Sequence, residues 1–351
     1  MDATGPVTDQ PAIRLEGVGK TYPDGTVAVQ ALDLEVRRGE LVCLVGPSGC
    51  GKSTTLKMVN RLIEPTSGRI LLDGRDVTRT DPVRLRREIG YVIQQVGLFP
   101  HQSVLANVMT VPLLLGEPKR VARERAAELL ETVGLEVATY GERYPHQLSG
   151  GQRQRVGVAR ALAANPPLLL MDEPFGAVDP VVRVRLQDEF LRLQRELGKT
   201  VVMVTHDIDE AVRLGDRVAV FAEGGRLAQY DVPAAVLGEP ADDFVAGFVG
   251  ASRGLRRLAV TPVSEEHLEP LGERTAGELA GTLDLASASP TLEDALGLLM
   301  RDDRAVVGVR RGATFLGVLT PAGVHRALRA SVAEGAATAA GAAAGAAAPA
   351  E

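Results

Sequence analysis

The stretch Leu41–Ser53, which reads LVCLVGPSGCGKS, decides the fold of this chain. Its first part, Leu41–Val45, is a continuous apolar run, as expected for a strand that is buried on both faces of a parallel sheet. Its second part, Gly46–Ser53, matches the pattern G-x-x-x-x-G-K-[ST], and apolar residues recur at helical spacing through Leu56–Ile63. A buried strand, a glycine-rich turn and a helix in this order predict an α/β domain with a phosphate-binding loop.

The glycines of this turn allow backbone N–H groups to close around the phosphates of a nucleotide. In such a loop Lys52 supplies a cation to the β and γ phosphates, and the Ser53 hydroxyl is a ligand for Mg²⁺. Cys50 is expected to pack and not to catalyse. A chance glycine-rich turn is the alternative, but strand, spacing and helix together favour ATP binding by Gly46, Pro47, Ser48, Gly49, Cys50, Gly51, Lys52, Ser53 and Thr54.

Further strands are predicted on both sides of this turn. The first forty residues alternate between apolar and polar positions, which predicts an antiparallel layer. Three more apolar runs, Leu168–Met171, Val201–Val204 and Val218–Phe221, resemble Leu41–Val45 and extend the predicted parallel sheet. The segment from Glu117 to Val133 is rich in Ala, Glu, Arg and Leu, so a helical insert is expected there.

Two carboxylates, Asp172 and Glu173, follow the apolar run Leu168–Met171. Asp172 is suited to orient the water shell of Mg²⁺, and Glu173 is suited to polarise an attacking water as general base. Acidic residues are common at strand ends, which is the alternative interpretation. Their occurrence in a chain with a phosphate loop favours the catalytic one.

A second glycine-rich turn, Ser149-Gly150-Gly151-Gln152, precedes a predicted helix over Arg153–Ala164. The N-terminus of a helix carries unpaired N–H groups and the positive end of the helix dipole. Ser149 is therefore suited either to cap the helix or to donate to a phosphate oxygen. The turn alone does not decide between these two roles.

The composition excludes several classes of protein. The chain has 351 residues, of which 45% are hydrophobic, and a formal net charge of −6, so nucleic acid is not an expected partner. Its two cysteines suggest no disulfide framework and fit a reducing compartment. Neither a secretory signal near Met1 nor an apolar run long enough to cross a bilayer is visible, so any work at a membrane is expected to require a partner.

The order of these motifs resembles the ATP-binding cassette (ABC) proteins, the nucleotide-hydrolysing subunits of ABC transporters, over residues 12 to about 240. Ser149–Gln152, with Leu148, is similar to the family's signature motif, and Gly176–Asp179 is similar to its D-loop. His206 resembles the family's switch histidine, which contacts the γ-phosphate. Gln94 resembles the glutamine that contacts metal and attacking water, although the choice between Gln94 and the adjacent Gln95 rests on this resemblance alone.

What the resemblance implies is a specific fold and site. The expected fold is an α/β P-loop NTPase of the ABC cassette type, with a parallel core sheet, an antiparallel β-subdomain and a helical subdomain, over residues 12–250. Tyr22 would stack on adenine, although a packing aromatic is the alternative. The resemblance gives Glu173, His206 and Gln94 catalytic roles, gives Mg²⁺ the ligands Ser53, Gln94 and Asp172, and adds to the nucleotide site Tyr22, Ser149, Gly150, Gly151, Gln152 and Asp179.

The resemblance also implies an assembly. Two cassettes would form a head-to-tail homodimer, in which Ser149 and Gly151 of one chain complete the ATP site of the other. Gln95–His101 resembles the part of an ABC importer that receives a helix from the membrane permease, and in this form it looks most like cassettes that serve glycine betaine, proline, choline or carnitine uptake. A substrate-binding protein would be an indirect partner, and the chain would be cytoplasmic, peripheral on the inner face of the cell membrane.

Other functions remain open at this point. An importer ATPase for another small solute, such as an amino acid, is one alternative. A soluble cassette ATPase of DNA repair or translation is another, although the long coiled-coil inserts or second cassette of those proteins are not visible. A regulatory protein that binds ATP without hydrolysing it is a third, and Glu173 and His206 argue against it.

After Gly250 the composition changes. Ser252–Arg257 is small and basic and suggests a linker. Residues 283–330 predict a strand–helix–strand–strand–helix order, which resembles one CBS (cystathionine-β-synthase-type) motif, a small α+β unit. Gly323 stands where a ribose-binding Asp would be expected, so nucleotide sensing is not expected there. Residues 334–351 are almost entirely Ala and Gly and are expected to form a disordered tail.

Overall fold

The structure is a computed structural model, and it describes residues 10–93, 97–176, 178–250, 253–272, 279–286, 289–301 and 306–330. The chain divides into two compact units, Met1–Tyr230 and Asp231–Glu351. Gln94, Gln95 and the predicted tail 334–351 lie outside the described residues.

The first unit contains two sheets and a group of helices. Its strands are β1 (Ile13–Thr21), β2 (Val27–Val36), β3 (Leu41–Val45), β4 (Ser67–Leu72), β5 (Arg75–Asp76), β6 (Ile89–Val92), β7 (Leu168–Asp172), β8 (Thr200–Val204), β9 (Arg217–Ala222) and β10 (Arg226–Asp231). Its helices are α1 (Lys52–Val59), α2 (Pro82–Arg87), α3 (Val104–Leu114), α4 (Lys119–Thr132), α5 (Val137–Tyr140), α6 (Gly150–Ala163), α7 (Pro180–Leu197) and α8 (Ile208–Leu214).

The larger sheet has the strand order β10-β9-β3-β8-β7-β6, and strands β6, β7, β8, β3 and β9 run parallel. All residues of β3, β7 and β8 are buried, as the continuous apolar runs predict. The carboxyl ends of these strands carry the phosphate loop, Asp172 and Thr205, because neighbouring parallel strands end at the same edge of a sheet. The predicted parallel core sheet is confirmed.

The smaller sheet has the order β2-β1-β4-β5 and is antiparallel. Ile13 pairs with Val36 and Leu15 with Leu34, so the alternating apolar residues fall on one face. These four side chains are buried in the same hydrophobic cluster as Val42 and Leu44 of β3. The antiparallel layer predicted for the first forty residues is therefore confirmed, and it packs on the core of the parallel sheet.

Helices α3 to α6 follow β6 and precede β7 in the chain. The predicted helical insert over Glu117–Val133 corresponds to α4, and α3 and α6 pack against it. The three helices bury an apolar face that includes Val104, Leu130 and Val156. This group positions the second glycine-rich turn at the start of α6.

The second unit contains α9 (Pro233–Gly238), α10 (Asp243–Val249), α11 (Arg253–Val260), β11 (Thr282–Asp284), α12 (Leu292–Arg301), β12 (Val307–Arg311), β13 (Thr314–Leu319) and a helix over 321–330, here α13. Strands β11 and β12 are parallel, and β12 and β13 form a hairpin around Gly312. Thr291 and Asp294 cap α12, and the Thr320 hydroxyl accepts from the Gly323 N–H at 2.9 Å. The predicted order of elements is confirmed.

The prediction of a linker over Ser252–Arg257 is wrong, because α11 begins at Arg253. Arg257 is buried, and Leu258 belongs to the core of the second unit together with Val263, Leu292 and Leu319. The core of this unit thus draws on residues before 283. The cassette boundaries 12–250 and the CBS-like motif 283–330 stay predictions.

Candidate functional site

The phosphate loop joins β3 to α1 and depends on glycine at two places. Gly46 has a φ of 147°, and a Cβ there would lie 2.2 Å from the carbonyl oxygen of Phe221. Gly51 has a φ of 92°, and a Cβ there would lie 2.1 Å from the carbonyl oxygen of Ala28. Both the positive φ and the close backbone approach exclude larger residues. The loop is therefore shaped by its neighbouring strands as well as by its own sequence.

The ammonium group of Lys52 lies within the loop. Its Nζ donates to the carbonyl oxygens of Gly46 at 2.8 Å and Pro47 at 2.7 Å, and it lies 3.4 Å from Cys50 Sγ. Lys52 is only 6% exposed, so its charge is held among backbone dipoles. Cys50 is buried in the hydrophobic cluster of the first unit, which is consistent with a packing role. This arrangement places one cation at the position where the sequence predicts phosphate oxygens.

Ser53 and Asp172 meet at the carboxyl end of β7. The Ser53 hydroxyl donates to Asp172 Oδ1 at 2.8 Å. Asp172 is 5% exposed, and burial raises the pKa of its carboxyl group. Two hard oxygen ligands at the end of a buried strand match what Mg²⁺ prefers, because this ion commonly takes one or two protein oxygens and completes its shell with phosphate and water. The pair fits the predicted metal site.

Glu173 and His206 also approach each other. His206 Nδ1 lies 3.4 Å from Glu173 Oε1, and the imidazole is exposed while the carboxylate is largely covered. Glu173 has a φ of 48°, in the left-handed region, and its N–H donates to the Val204 carbonyl at 3.0 Å. The unusual backbone turns the carboxylate out of the sheet toward His206. The structure thus brings together the predicted base and the predicted switch histidine.

The second glycine-rich turn caps α6. The Ser149 hydroxyl accepts from the Gln152 N–H at 3.2 Å, and Gln152 Oε1 accepts from the Ser149 N–H at 2.8 Å. This is a reciprocal capping box, with Gly150 and Gly151 in the first turn. The capping role left open by the sequence is confirmed. Because a hydroxyl that accepts one bond can still donate its own proton, capping leaves Ser149 able to donate to a phosphate oxygen.

The remaining predicted residues lie at the ends of elements. Tyr22 directly follows β1, is half-buried, and has the ammonium of Lys20 5.4 Å from its ring centroid. Asp179 is exposed just before α7, and its carbonyl accepts from the Arg183 N–H at 2.7 Å. The roles assigned to Tyr22 and Asp179 stay predictions.

Sequence reasoning did not identify Gln154. This buried side chain of α6 donates from Nε2 to the Glu173 carbonyl at 3.4 Å and so links the helix that starts at the second turn to the predicted base. Gln154 follows Gly150 by one helical turn, and this spacing was the only feature of the sequence that could have indicated its place near the second glycine-rich turn. Buried glutamine has no distinctive sequence pattern.

Of the segment Gln95–His101, which is predicted to contact a membrane partner, residues 97–101 are described. Together with Gln102 and Ser103 they form a well-anchored loop, here the Phe99 loop, residues 97–103. Asn107 is fully buried in α3: its Oδ1 accepts from the Phe99 N–H at 2.8 Å, and its Nδ2 donates to the carbonyls of Phe99, Gln102 and Ser103. Arg160 of α6 donates to the Gly97 carbonyl at 2.9 Å. Both helices therefore hold the loop.

A groove of about 580 Å³ runs beside this loop along α3. Its lining includes Gln102, Met109 and Leu113, and Lys119, Arg123 and Glu142 add charge. Leu114, at the end of α3, is 68% exposed, and Leu115 beside it is also exposed. Leu113, Leu114 and Leu115 thus form a run of three exposed apolar residues beside the groove. Contiguous apolar surface of this kind is typical of sites that bind a partner. None of the helices in the described part of the chain is long and apolar enough to cross a membrane.

Comparison with known proteins gives consistent matches. A family model described as "ABC transporter" matches residues 29–176. The glycine betaine/carnitine/choline transport ATP-binding protein OpuCA of Bacillus subtilis (strain 168) is 50% identical over 292 residues, which are 83% of this chain and 73% of that protein. The choline transport ATP-binding protein OpuBA of the same organism is 54% identical over 69% of this chain, which spans 63% of OpuBA, just under two thirds of its length.

A solved structure agrees with these matches. The dimeric ATP-binding cassette MJ0796, bound to ADP and Pi in a post-hydrolysis state, is 37% identical with a TM-score of 0.59. The match covers 63% of this chain and 98% of that structure.

Proposed function

Because this chain belongs to the family of ABC transporter ATP-binding proteins, we propose that it hydrolyses ATP to drive the import of a quaternary amine osmoprotectant. The transport proteins with the matching sequences are named for glycine betaine, carnitine and choline, which supports this substrate class. The observation that carries the proposal is the contact of Glu173 with His206, next to the Ser53–Asp172 pair and the phosphate loop.

In this proposal each group has one role. The backbone N–H groups of Gly46–Thr54, except at Pro47, bind the phosphates, and Lys52 exchanges its carbonyl partners for phosphate oxygens. Glu173 accepts a proton from the attacking water as general base, and His206 contacts the γ-phosphate and orients Glu173. Ser53 and Asp172 would hold Mg²⁺, and Gln94, which lies outside the described residues, is the third predicted ligand. Bound Mg²⁺ would neutralise charge on the phosphates.

The active assembly in this proposal is a head-to-tail homodimer. Ser149 and Gly151 would complete the ATP site of the other chain, with Gln152 fixing their turn and Asp179 beside the nucleotide. The similarity to a dimeric cassette with bound ADP and Pi supports the formation of a dimer. The capping box supports it as well, because a pre-formed turn can receive phosphate without reordering.

The partner in this proposal is an integral membrane permease. The Phe99 loop and the α3 groove present exposed leucines beside charged residues, which suits an amphipathic helix. Such docking would hold the chain as a peripheral protein on the cytoplasmic face of the cell membrane, and a substrate-binding protein would act through the permease. We also propose that the ATP-binding domain, predicted over 12–250, includes the first unit up to Tyr230, and that the CBS-like motif 283–330 is regulatory.

The test of the catalytic proposal is Glu173→Gln in the full-length chain. This change keeps the shape of the side chain and removes its basicity, so kcat for ATP hydrolysis should fall at least about 100-fold. ATP binding should persist, and ATP-bound dimers should accumulate in size-exclusion chromatography. Glu196→Gln, at an exposed ion pair with Arg192 on α7, is the matched control. Hydrolysis by Glu173→Gln at the wild-type rate would refute the assigned base.

The substrate proposal needs a transport measurement. The chain, reconstituted in vesicles with its membrane partners, should import glycine betaine, choline, carnitine or proline in an ATP-dependent way. Uptake of an amino acid outside this group would favour the alternative importer. Failure to co-purify with any membrane subunit would favour a soluble cassette ATPase.

A further inference from the structure

A buried carboxylate, Glu210, lies in α8 just after the predicted switch histidine. It is 8% exposed, and burial raises the pKa of its carboxyl group. A buried charge is costly unless several groups compensate it. Nothing in the hydrolysis scheme above uses Glu210, so the reason for its position must be found in its contacts.

A hydrogen-bond donor, a hydroxyl group and a cation face the Glu210 carboxyl group. Gln187 Nε2 of α7 donates to Glu210 Oε1 at 2.8 Å, and the nearby Thr205 hydroxyl acts to lower the pKa of the carboxyl group. The guanidinium of Arg183 attracts the same carboxylate, whereas Asp207 opposes its charge. The Glu210 carboxylate thus accepts from Gln187 at a point where an amide in its place would bring an NH₂ group into the same cluster.

On one side, these contacts fix the residues around His206. Thr205 is buried, and its N–H donates to the carbonyl of Leu44 in β3, at 3.1 Å, two residues before the phosphate loop. The Thr205 hydroxyl oxygen accepts from the Asp207 N–H at 3.1 Å, so its proton is available to Glu210. His206 lies between these two residues. Its backbone direction is thus set by a segment whose Thr205 hydroxyl faces Glu210.

On the other side, the contacts lead to the residues next to Asp179. Arg183 donates from Nη2 to the Val178 carbonyl at 3.1 Å, and Gln187 lies one turn further along α7. The start of α7 therefore holds the backbone of Val178 and Asp179, and its next turn holds Glu210. One carboxylate is thereby connected to both segments that approach the nucleotide.

We propose that Glu210 is a positioning residue that fixes the His206 segment, Thr205–Asp207, against helix α7. This inference rests on the roles proposed above for His206 and Asp179. Glu210 does not touch the nucleotide in this proposal. It sets the distance between two loops, and a small displacement of a reacting group is enough to slow a chemical step strongly.

The test is a swap of the two bonded side chains. Glu210→Gln should lower kcat for ATP hydrolysis about tenfold or more while KM for ATP changes less than about twofold, because chemistry and not binding is affected. The double variant Glu210→Gln with Gln187→Glu restores one carboxylate and one amide in reversed places. Its kcat should return to within about threefold of wild type, since paired residues show non-additive effects.

A structural role alone would give a different pattern. Gln194→Glu places a carboxylate at another buried glutamine of α7, which donates to the Gly39 carbonyl at 2.7 Å. This control should lower Tm without a comparable loss of kcat in the folded protein. If Glu210→Gln does not fold, Gln187→Leu, which removes the bond from the α7 side, should lower kcat in the same way. A wild-type kcat in the folded single variants, or a folded swap without rescue, would overturn the proposal.

His206→Ala, measured in parallel, separates this inference from the proposed function. If His206→Ala hydrolyses ATP normally, the proposed site itself is refuted. If His206→Ala is inactive while Glu210→Gln is fully active, the site stands and only the positioning role is lost.

Discussion

At the scale of single residues, Asp172 holds its charge at a cost. It lies at the buried end of β7, and the Ser53 hydroxyl is its hydrogen-bond donor at 2.8 Å. Burial is the main reason that the pKa of its carboxyl group is raised. A group of this kind stabilises the folded state less when ionised than when neutral. The carboxylate is therefore retained for what it binds and not for stability.

Asp172→Asn should raise the Tm of the nucleotide-free protein at pH 7 and abolish Mg²⁺-dependent hydrolysis. The folded pKa lies above the unfolded value of 3.8, so ionised Asp172 destabilises the fold at neutral pH. The penalty shrinks as the pH falls through the folded pKa, and it disappears below the unfolded value, where the carboxyl is protonated in both states. Thermal unfolding of both proteins between pH 4 and pH 8 measures this. A Tm difference that grows on acidification would contradict it.

Gly51→Ala should destabilise the protein more than Gly49→Ala. Both glycines have positive φ, which costs a residue with a Cβ about 1–2 kcal/mol. Only at Gly51 would the Cβ also meet a backbone carbonyl, that of Ala28, whereas nothing lies within 4 Å of a Cβ at Gly49. We expect a difference of at least about 1 kcal/mol between the two variants in urea unfolding. Equal unfolding free energies would contradict the close approach.

At this scale the residues that carry the proposed chemistry were predictable from the sequence, whereas the contacts that support them were not. Ser53, Asp172, Glu173 and His206 were predicted because each stands in a motif at fixed spacing, and the fold brings them together in two pairs. Glu210 and Gln154 were not predicted. Their significance depends on what a helix packs against, and packing across elements leaves no local pattern.

At the scale of elements, Asn107 is the main anchor of residues 99–103 in the Phe99 loop. The carboxamide of Asn107 makes four hydrogen bonds to backbone groups of residues 99–103. A loop held in this way presents its surface to a partner without ordering on contact, which lowers the entropic cost of binding. The helix and the loop act as one surface.

Asn107→Ala should lower the free energy of unfolding by about 3 kcal/mol, since buried backbone groups lose their partners at about 1 kcal/mol or more each. Asn60→Ala is the matched control, because Asn60 is equally buried but its Oδ1 has no hydrogen-bond partner among the described residues. Asn60→Ala should cost less. Chemical denaturation compares the two, and a larger loss for Asn60→Ala would contradict the role of Asn107.

The predicted linker at Ser252–Arg257 shows why elements were harder to predict at the C-terminal side. Small and basic residues suggested an exposed connection, but the long apolar stem of an arginine can pack while its head group reaches polar partners. Arg257 is buried in this way near Gly238 of α9. Composition alone does not distinguish such an arginine from a solvated one.

At the scale of the whole molecule, the division into two units lies earlier than the composition change suggested. The first unit ends at Tyr230, and α9 and α10 belong to the second. Helix α9 packs against α11, which begins beyond Gly250. A cut at Gly250 therefore falls within the second unit. The parallel sheet was predictable from four apolar runs, whereas this boundary depends on long-range packing.

A chain that ends after Val232 should fold cooperatively and hydrolyse ATP within about threefold of the full-length rate, since a domain boundary is where few contacts cross. A chain that ends at Gly250 keeps α9 without α11, so its Tm should be lower than that of the chain that ends after Val232. Calorimetry and hydrolysis assays measure both. If the chain that ends at Gly250 has a higher Tm than the chain that ends after Val232, the unit boundary at Tyr230 is contradicted. If hydrolysis by full-length and shortened chains responds identically to ionic strength, the proposed regulatory role of 283–330 fails.

The left-handed backbone at Glu173 implies that the stability of the fold and the proposed rate of ATP hydrolysis place opposite demands on this position. Glycine would adopt a φ of 48° freely, whereas glutamate bears a local strain of about 1 kcal/mol there. Selection of this protein for heat resistance alone would thus favour loss of the carboxylate at position 173. The carboxylate at position 173 therefore lowers the stability of the fold at the point where the proposed hydrolysis requires a base.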